Sequence, residues 1–111
     1  MADQHDPSTP LDLFRLNGLT AIVTGASSGL GNRFARVLHA VGANVVVTAR
    51  RAERLEQLAG ELNEHRPGAA SALVVAADVG IEADRERIVS SSVEQFGRID
   101  VLVNNAGVGG K

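Results

Sequence analysis

The residues with the clearest chemical purpose form one short loop, Thr24-Gly25-Ala26-Ser27-Ser28-Gly29-Leu30-Gly31. Its glycines have the spacing Gly-x3-Gly-x-Gly, which suits an anion cradle. Gly25 permits a sharp turn out of a strand. Gly29, with no Cβ, lets a pyrophosphate approach the backbone, and Gly31 lets the following helix pack close to a sheet. Backbone N–H groups and the positive end of that helix then face the phosphates. Ser27 and Ser28 add hydroxyl donors. Such glycines also serve a plain strand-to-helix turn. What favours nucleotide binding is their place between an apolar strand and an amphipathic helix. A phosphate-binding P-loop is disfavoured, because no Gly-Lys-Ser/Thr follows.

Three further strand ends carry chemistry. Thr48-Ala49-Arg50-Arg51 closes the second strand. In dinucleotide-binding folds an acid here holds the ribose 2′-hydroxyl, whereas an arginine accommodates a 2′-phosphate. The first acid is Glu53, so the segment favours NADP, with NAD as the alternative. Arg50 and Arg51 also read as solvated charges opening a helix, Arg51 the more so. Asp78-Val79 ends the third strand, where the carboxylate suits either an adenine amino group or the cap of the next helix. The fourth strand runs into Asn104-Asn105-Ala106-Gly107. Two amides there can bridge neighbouring backbones, and Ala106-Gly107 leaves room for a flat ligand; a plain Asn/Gly turn is the other reading. His5, His39 and His65 lack metal-ligand spacing, and His39 and His65 are expected at the surface. No metal site is expected.

These motifs need a particular scaffold. Leu19 to Thr24 reads as a strand buried on both faces. Leu30, Phe34, Val37, Leu38 and Val41 then keep helical spacing up to Gly42. Val45 to Thr48 is a second strand. Leu55, Leu58, Ala59 and Leu62 mark a second helix ended by Pro67-Gly68. Leu73 to Ala77 is a third strand, Val89, Val93 and Phe96 stripe a third helix closed by Gly97, and Val101 to Val103 is a fourth strand. Alternating strands and helices predict an α/β fold, a Rossmann-type doubly wound parallel sheet of order 3-2-1-4 stopping after the fourth strand. Residues 1–16 read as an N-terminal tail and 17–111 as one incomplete nucleotide-binding domain. The first two helices should cover one face and the third the other. That leaves the second face half bare and the fourth strand an open edge, a liability for aggregation.

Composition narrows the partners. The 111 residues are 44% apolar and 22% charged with a net charge of −2, which gives no reason to expect nucleic acid or an anionic membrane. There is no cysteine, which excludes disulfides and thiolate metal sites and fits a reducing cytoplasm. No stretch approaches the ~18–20 apolar residues of a membrane span. Tyrosine and tryptophan are absent, and the one lysine is Lys111.

Taken together, Thr24-Gly25-x3-Gly29-x-Gly31, Asp78-Val79 and Asn104-Asn105-Ala106-Gly107 make the chain resemble the short-chain dehydrogenase/reductase family from residue 11 onward. The resemblance implies an oxidoreductase that moves a hydride between NADP(H) and an alcohol or carbonyl substrate, usually as a homo-oligomer. It implies that Gly25, Ser27, Ser28, Gly29, Leu30 and Gly31 line the pyrophosphate and adenosine ribose. Arg50 would sit at the 2′-phosphate, Asp78 and Val79 at adenine, and Asn105, with Asn104 close behind, near the cofactor ribose. Members of the family continue past this strand and supply a catalytic Ser and a Tyr-x-x-x-Lys pair, for which this chain has no tyrosine. The 111 residues are therefore expected to hold no catalytic residue and to be inactive alone. They would be the N-terminal part of a longer enzyme, or else a truncated non-catalytic nucleotide-binding or interaction module. A methyltransferase is disfavoured by the missing acid after the second strand and by the Asn104–Gly107 segment.

Overall fold

The computed structural model describes residues 15–106. Strand β1 (Thr20–Thr24) leads through the glycine loop into helix α1 (Gly29–Ala40). There follow β2 (Asn44–Ala49), α2 (Ala52–Glu64), a 3-10 turn (Pro67–Ala69), β3 (Ala72–Ala76), α3 (Glu82–Phe96) and β4 (Val101–Val103). The strands form one parallel sheet in the order β3-β2-β1-β4. This is the doubly wound arrangement that the alternation of elements predicts.

The central strands are apolar or β-branched because both of their faces are covered. Every residue of β1 is buried. Helices α1 and α2 pack on one face, over Ala21, Val23, Val45, Val47, Leu55 and Leu58. Helix α3 covers part of the other, where Ile22, Val46, Val75 and Ile88 meet. The edge strand β4 is pinned to β1 at its start. Asp100 N–H donates to the Thr20 carbonyl at 2.8 Å, and Thr20 N–H donates to Asp100 Oδ2 at 2.9 Å. Hydrogen bonds from Arg98 hold the Asp100 carboxyl below the usual carboxylate range.

Two helical stripes are rotated from their expected phase. In α1 the buried positions are Gly31, Ala35 and His39, while Leu30, Phe34 and Val37 stand 53%, 37% and 56% exposed. In α3 the buried positions are Ile88 and Ser92, and Val89 and Val93 face outward. One residue is about 100° of helix rotation. The small residues of α1 make the sheet contact because they allow the closest approach, so the larger apolar side chains fall beside it. Leu102 on the edge strand β4 is 61% exposed as well, so α1, α3 and β4 each carry exposed apolar side chains.

His39 is a second correction. It is 4% exposed, not a surface residue, because positions 31, 35 and 39 lie one turn apart on the face turned inward. Its Nε2 has no hydrogen-bond partner among the described residues. Burial is the main reason that its pKa lies below the ordinary 6.5, with His65 and Arg66 adding to the effect. A buried histidine with a lowered pKa binds its proton more readily in the unfolded chain. It therefore costs no stability above the unfolded value, and stability is lost as pH falls through 6.5 toward the folded pKa. Denaturation midpoints measured from pH 8 to pH 5 should fall across this window in the wild type. In His39→Gln the fall should be shallower; an equal slope would contradict the assignment.

Candidate functional site

The site forms where the C-terminal ends of β1, β2 and β4 meet the start of α1, and one hydroxyl organises it. Thr24, buried at the end of β1, accepts hydrogen bonds from Asn105 N–H at 2.8 Å and Ala106 N–H at 2.9 Å. Its own proton lies within reach of the Val103 carbonyl at 3.3 Å and Asn104 Oδ1 at 3.2 Å. Both acceptor positions and the single donor of the hydroxyl are thus in use. The apolar reading of β1 passed over this residue; the available signal was a hydroxyl at the last strand position, directly before the glycine turn.

Asn105 ties the second contact. Its Nδ2 donates to the Gly25 carbonyl at 3.3 Å, so the amide bridges the β4 end to the glycine loop. Ala26 N–H donates to the Thr48 carbonyl at 3.1 Å, joining the same loop to the end of β2. Gly25 and Gly29 have φ of +64° and +61°, a conformation that costs other residues strain. The three glycines divide the work. A Cβ on Gly31 would stand 2.2 Å from the Gly25 carbonyl oxygen and 2.7 Å from Asn105 Nδ2, so Gly31 serves packing. A Cβ on Gly29 would meet nothing within 4 Å, so the backbone there is open to an approaching ligand.

Helix α1 begins at Ser28, whose side chain is exposed and makes no capping hydrogen bond. The N–H groups of a first helical turn have no partner inside the helix, and among the described residues no side chain supplies one. The positive end of α1 is therefore available to an anion. Leu30 lies exposed on this first turn, and Ser27 is half-buried in the loop. Helix α2 begins at Arg51 in the same uncapped way. Arg50 and Arg51 are exposed and have no ion pair or hydrogen bond among the described residues.

Asp78 and Val79 are placed at the mouth in a different manner. Asp78 Oδ1 accepts from Gly80 N–H at 2.8 Å, and Asp78 N–H donates to Asp84 Oδ2 at 2.8 Å. These bonds shape the turn that leads into α3, but Asp78 does not cap the helix: its N-cap is Ile81, with no side-chain capping hydrogen bond. The other carboxylate oxygen accepts no hydrogen bond among the described residues. The Val79 side chain packs against the second core cluster, and its carbonyl accepts from Arg85 Nη1 at 2.7 Å. Asn104 is exposed and Ala106 half-buried; Gly107 lies outside the described residues. Among the described residues no group of three or more His, Asp or Glu is placed to hold a metal.

A nicotinamide dinucleotide fits these features. It needs an open glycine backbone and a free helix N-terminus for its pyrophosphate, and Gly29 and α1 present both. When bound, such a group donates or accepts a hydride.

Comparison with known proteins agrees with this geometry. The family model for short chain dehydrogenase matches residues 19–111. An uncharacterized oxidoreductase of Bacillus subtilis is 43% identical over 108 residues, 96% of this chain and 30% of that protein. An 11-beta-hydroxysteroid dehydrogenase of Pinus massoniana is 42% identical over 94 residues, 85% of this chain and 26% of its own length. The crystal structure of L-sorbose reductase from Gluconobacter frateurii, complexed with NADPH and L-sorbose, superposes with a TM-score of 0.78 at 37% identity. That match covers 86% of this chain and 35% of the reductase. The chain thus spans a third or less of the two curated relatives named.

Proposed function

The chain belongs to the short-chain dehydrogenase family, and on that premise we propose that it holds NADP(H) for hydride exchange with an alcohol or carbonyl substrate. The observation that carries the cofactor choice is the end of β2. Two arginines without partners stand beside the glycine loop, and no acid occupies their place to accept a ribose 2′-hydroxyl. Gly25, Gly29 and the first turn of α1 hold the pyrophosphate, with Ser27, Ser28 and Leu30 beside it, and Gly31 keeps α1 close. Arg50 takes the 2′-phosphate. The free oxygen of Asp78 takes the adenine amino group, with Val79 flooring the turn. Asn105, with Asn104 and Ala106 beside it, borders the cofactor ribose.

The reaction itself falls to polypeptide that the longer relatives carry. These 111 residues contain no tyrosine, and a Tyr–Lys pair is what the family resemblance implies for proton transfer. The apolar flanks of α1 and α3 support the same reading, since further elements of a larger sheet would cover them. The absence of tyrosine also favours a second reading, a nucleotide-binding module without catalysis. For the whole protein we propose a small-molecule substrate, self-association and a cytoplasmic location. The lack of cysteine supports that location; among the described residues no helix is long and apolar enough to cross a membrane.

Calorimetric titration tests the cofactor choice. NADPH should bind about 10- to 100-fold more tightly than NADH, the range of a charge-assisted hydrogen bond. Arg50→Asp should abolish that preference, and the 111 residues with NADPH should reduce no ketone. Equal affinities in the wild type, or an unchanged preference in Arg50→Asp, would overturn the choice of NADP; ketone reduction by the chain alone would overturn the division of labour.

A further inference from the structure

The sequence holds six asparagines, and Asn17 alone is followed by glycine. The side chains of the other five are all held. Asn32 Oδ1 accepts from Arg36 Nε at 2.8 Å, and Asn44 Oδ1 accepts from Ser71 N–H at 3.0 Å. Asn63 donates to the Ala72 carbonyl and accepts from Ala72 N–H. Asn104 Oδ1 lies 3.2 Å from the Thr24 hydroxyl, and Asn105 Nδ2 donates to the Gly25 carbonyl. The Asn17 carboxamide has no hydrogen-bond partner among the described residues.

Its backbone setting is equally open. Leu19 N–H donates to the Leu16 carbonyl at 3.0 Å, so residues 16–19 form a β-turn with Asn17 and Gly18 at its centre. Both central residues are exposed. Gly18 has a φ of +84°, and a Cβ there would meet nothing within 4 Å. Its N–H has no hydrogen-bond partner among the described residues. A backbone nitrogen reaches the side-chain carbonyl before it most readily when neither group is held, water reaches both, and no side chain crowds the nitrogen. Asn17-Gly18 meets all of these conditions.

We propose that Asn17 is a site of spontaneous deamidation and isomerisation. The Gly18 nitrogen attacks Asn17 Cγ. The N–Cγ bond forms, the Cγ–Nδ2 bond breaks, and ammonia leaves with the proton that Gly18 gives up. A succinimide ring then joins the two residues. Water opens the ring at either carbonyl. Attack at Cγ gives aspartate. Attack at the main-chain carbonyl gives isoaspartate, in which the main chain runs through the former side chain. Nothing is oxidised or reduced, and water is the only co-reactant.

The product matters because of where the turn lies. Asn17 sits over two glycines that close neighbouring turns, and a Cβ on Gly42 or on Gly68 would run into its Oδ1. Leu16 N–H donates to the Val41 carbonyl at 2.7 Å, which ties the turn to the C-terminal end of α1. That end carries partial negative charge, so a new carboxylate is repelled there. Isoaspartate also adds a methylene to the main chain and misaligns Leu16 with Val41. Both products loosen the edge of the sheet opposite the glycine loop and leave the loop itself untouched.

The test ages the protein at mildly alkaline pH, natively and in urea, and follows each asparagine by peptide mass spectrometry. Isoaspartate is detected by its specific enzymatic methylation. In the native protein Asn17 should convert about tenfold faster than any other asparagine, a barrier difference of about 1.4 kcal/mol. The rate should rise with pH, because the attacking nitrogen must shed its proton. Converted protein should melt about 4–8 °C lower, the shift for loss of one hydrogen bond of ordinary strength. Hydrogen exchange should show Leu16 and Leu19 losing protection, while Asn105 and Ala106 keep theirs relative to the global stability. Asn17→Asp carries the charge without the longer main chain and should melt between fresh and converted protein. Asn17→Gln, whose longer side chain must close a larger ring, should keep its mass. Native conversion of Asn17 no faster than that of the hydrogen-bonded asparagines, or strongly suppressed relative to urea, overturns the site. Converted protein that melts like fresh protein overturns its structural consequence. These comparisons use the wild type alone, so a variant that fails to fold leaves them intact.

Discussion

Gly31→Ala is expected to unseat the glycine loop, losing both stability and nucleotide affinity. The new Cβ would stand 2.2 Å from the Gly25 carbonyl oxygen and 2.7 Å from Asn105 Nδ2. Neither contact lies at the end of a long, flexible side chain. Either α1 backs away from the sheet or the loop shifts, and a shift breaks the Asn105 bond to Gly25. Overpacking of this kind costs about 1–3 kcal/mol and occasionally more, a large part of the ~5–15 kcal/mol that holds a domain together. Gly29→Ala separates packing from ligand access. Its Cβ meets nothing within 4 Å, so the protein loses only the left-handed conformational penalty of about 1–2 kcal/mol. The methyl group nevertheless occupies the place where phosphate oxygens approach. Denaturant melts together with nucleotide titration should show Gly31→Ala poor in both and Gly29→Ala poor chiefly in binding. A Gly31→Ala protein that melts and binds like the wild type would refute the packing role.

Thr24→Val should have the second largest effect, although it preserves shape. It removes the acceptor shared by Asn105 N–H and Ala106 N–H. An unsatisfied buried donor costs about 1–3 kcal/mol. Asn105 N–H keeps a bond to the Val103 carbonyl at 3.1 Å, so Ala106 N–H is the donor left without a partner and the loss should be about 1–3 kcal/mol. Thr24→Ser retains the hydroxyl and should recover most of it. Amide hydrogen exchange localises the effect: Asn105 and Ala106 should lose protection in Thr24→Val, while the centre of β2 keeps its own relative to the global stability. Uniform loss across the sheet, or no loss at all, would count against the anchoring role.

The strands were legible because each is a short apolar run between turn residues, and their alternation with helices leaves few topologies. The phase of α1 was not. Periodicity follows the large apolar residues, but close packing on the sheet is made by Gly31 and Ala35, which carry little hydrophobic signal. Leu30, Phe34 and Val37 define the period correctly and the facing wrongly. His39 misled for the same reason: once the helix is turned to its true face, a polar residue at position 39 falls inside. The role of Thr24 was hidden differently. Its partners are about 80 residues away, and no local pattern marks a hydroxyl as the acceptor for a distant strand end. Asp78 shows the limit of local chemistry from the other side: helix cap and adenine acceptor were both consistent with the sequence, but the carboxylate closes a turn on Gly80 N–H and leaves Ile81 as the N-cap of α3.

The position of β4 beside β1 has a consequence for how the protein is made. Thr24 and Asn105 are 81 residues apart in the chain, so the contact that shapes the ligand mouth is one of the least local in the fold. Closing a long loop adds little free energy, since each doubling of length costs about 0.6 kcal/mol. It does slow folding, because remote pairings must wait for chance encounter. The β1–α1–β2 segment can therefore organise as a local unit while the mouth is still open. A nucleotide that recognises the finished mouth would reward only chains that have brought β4 home, and a cofactor bound there would select completed sheets.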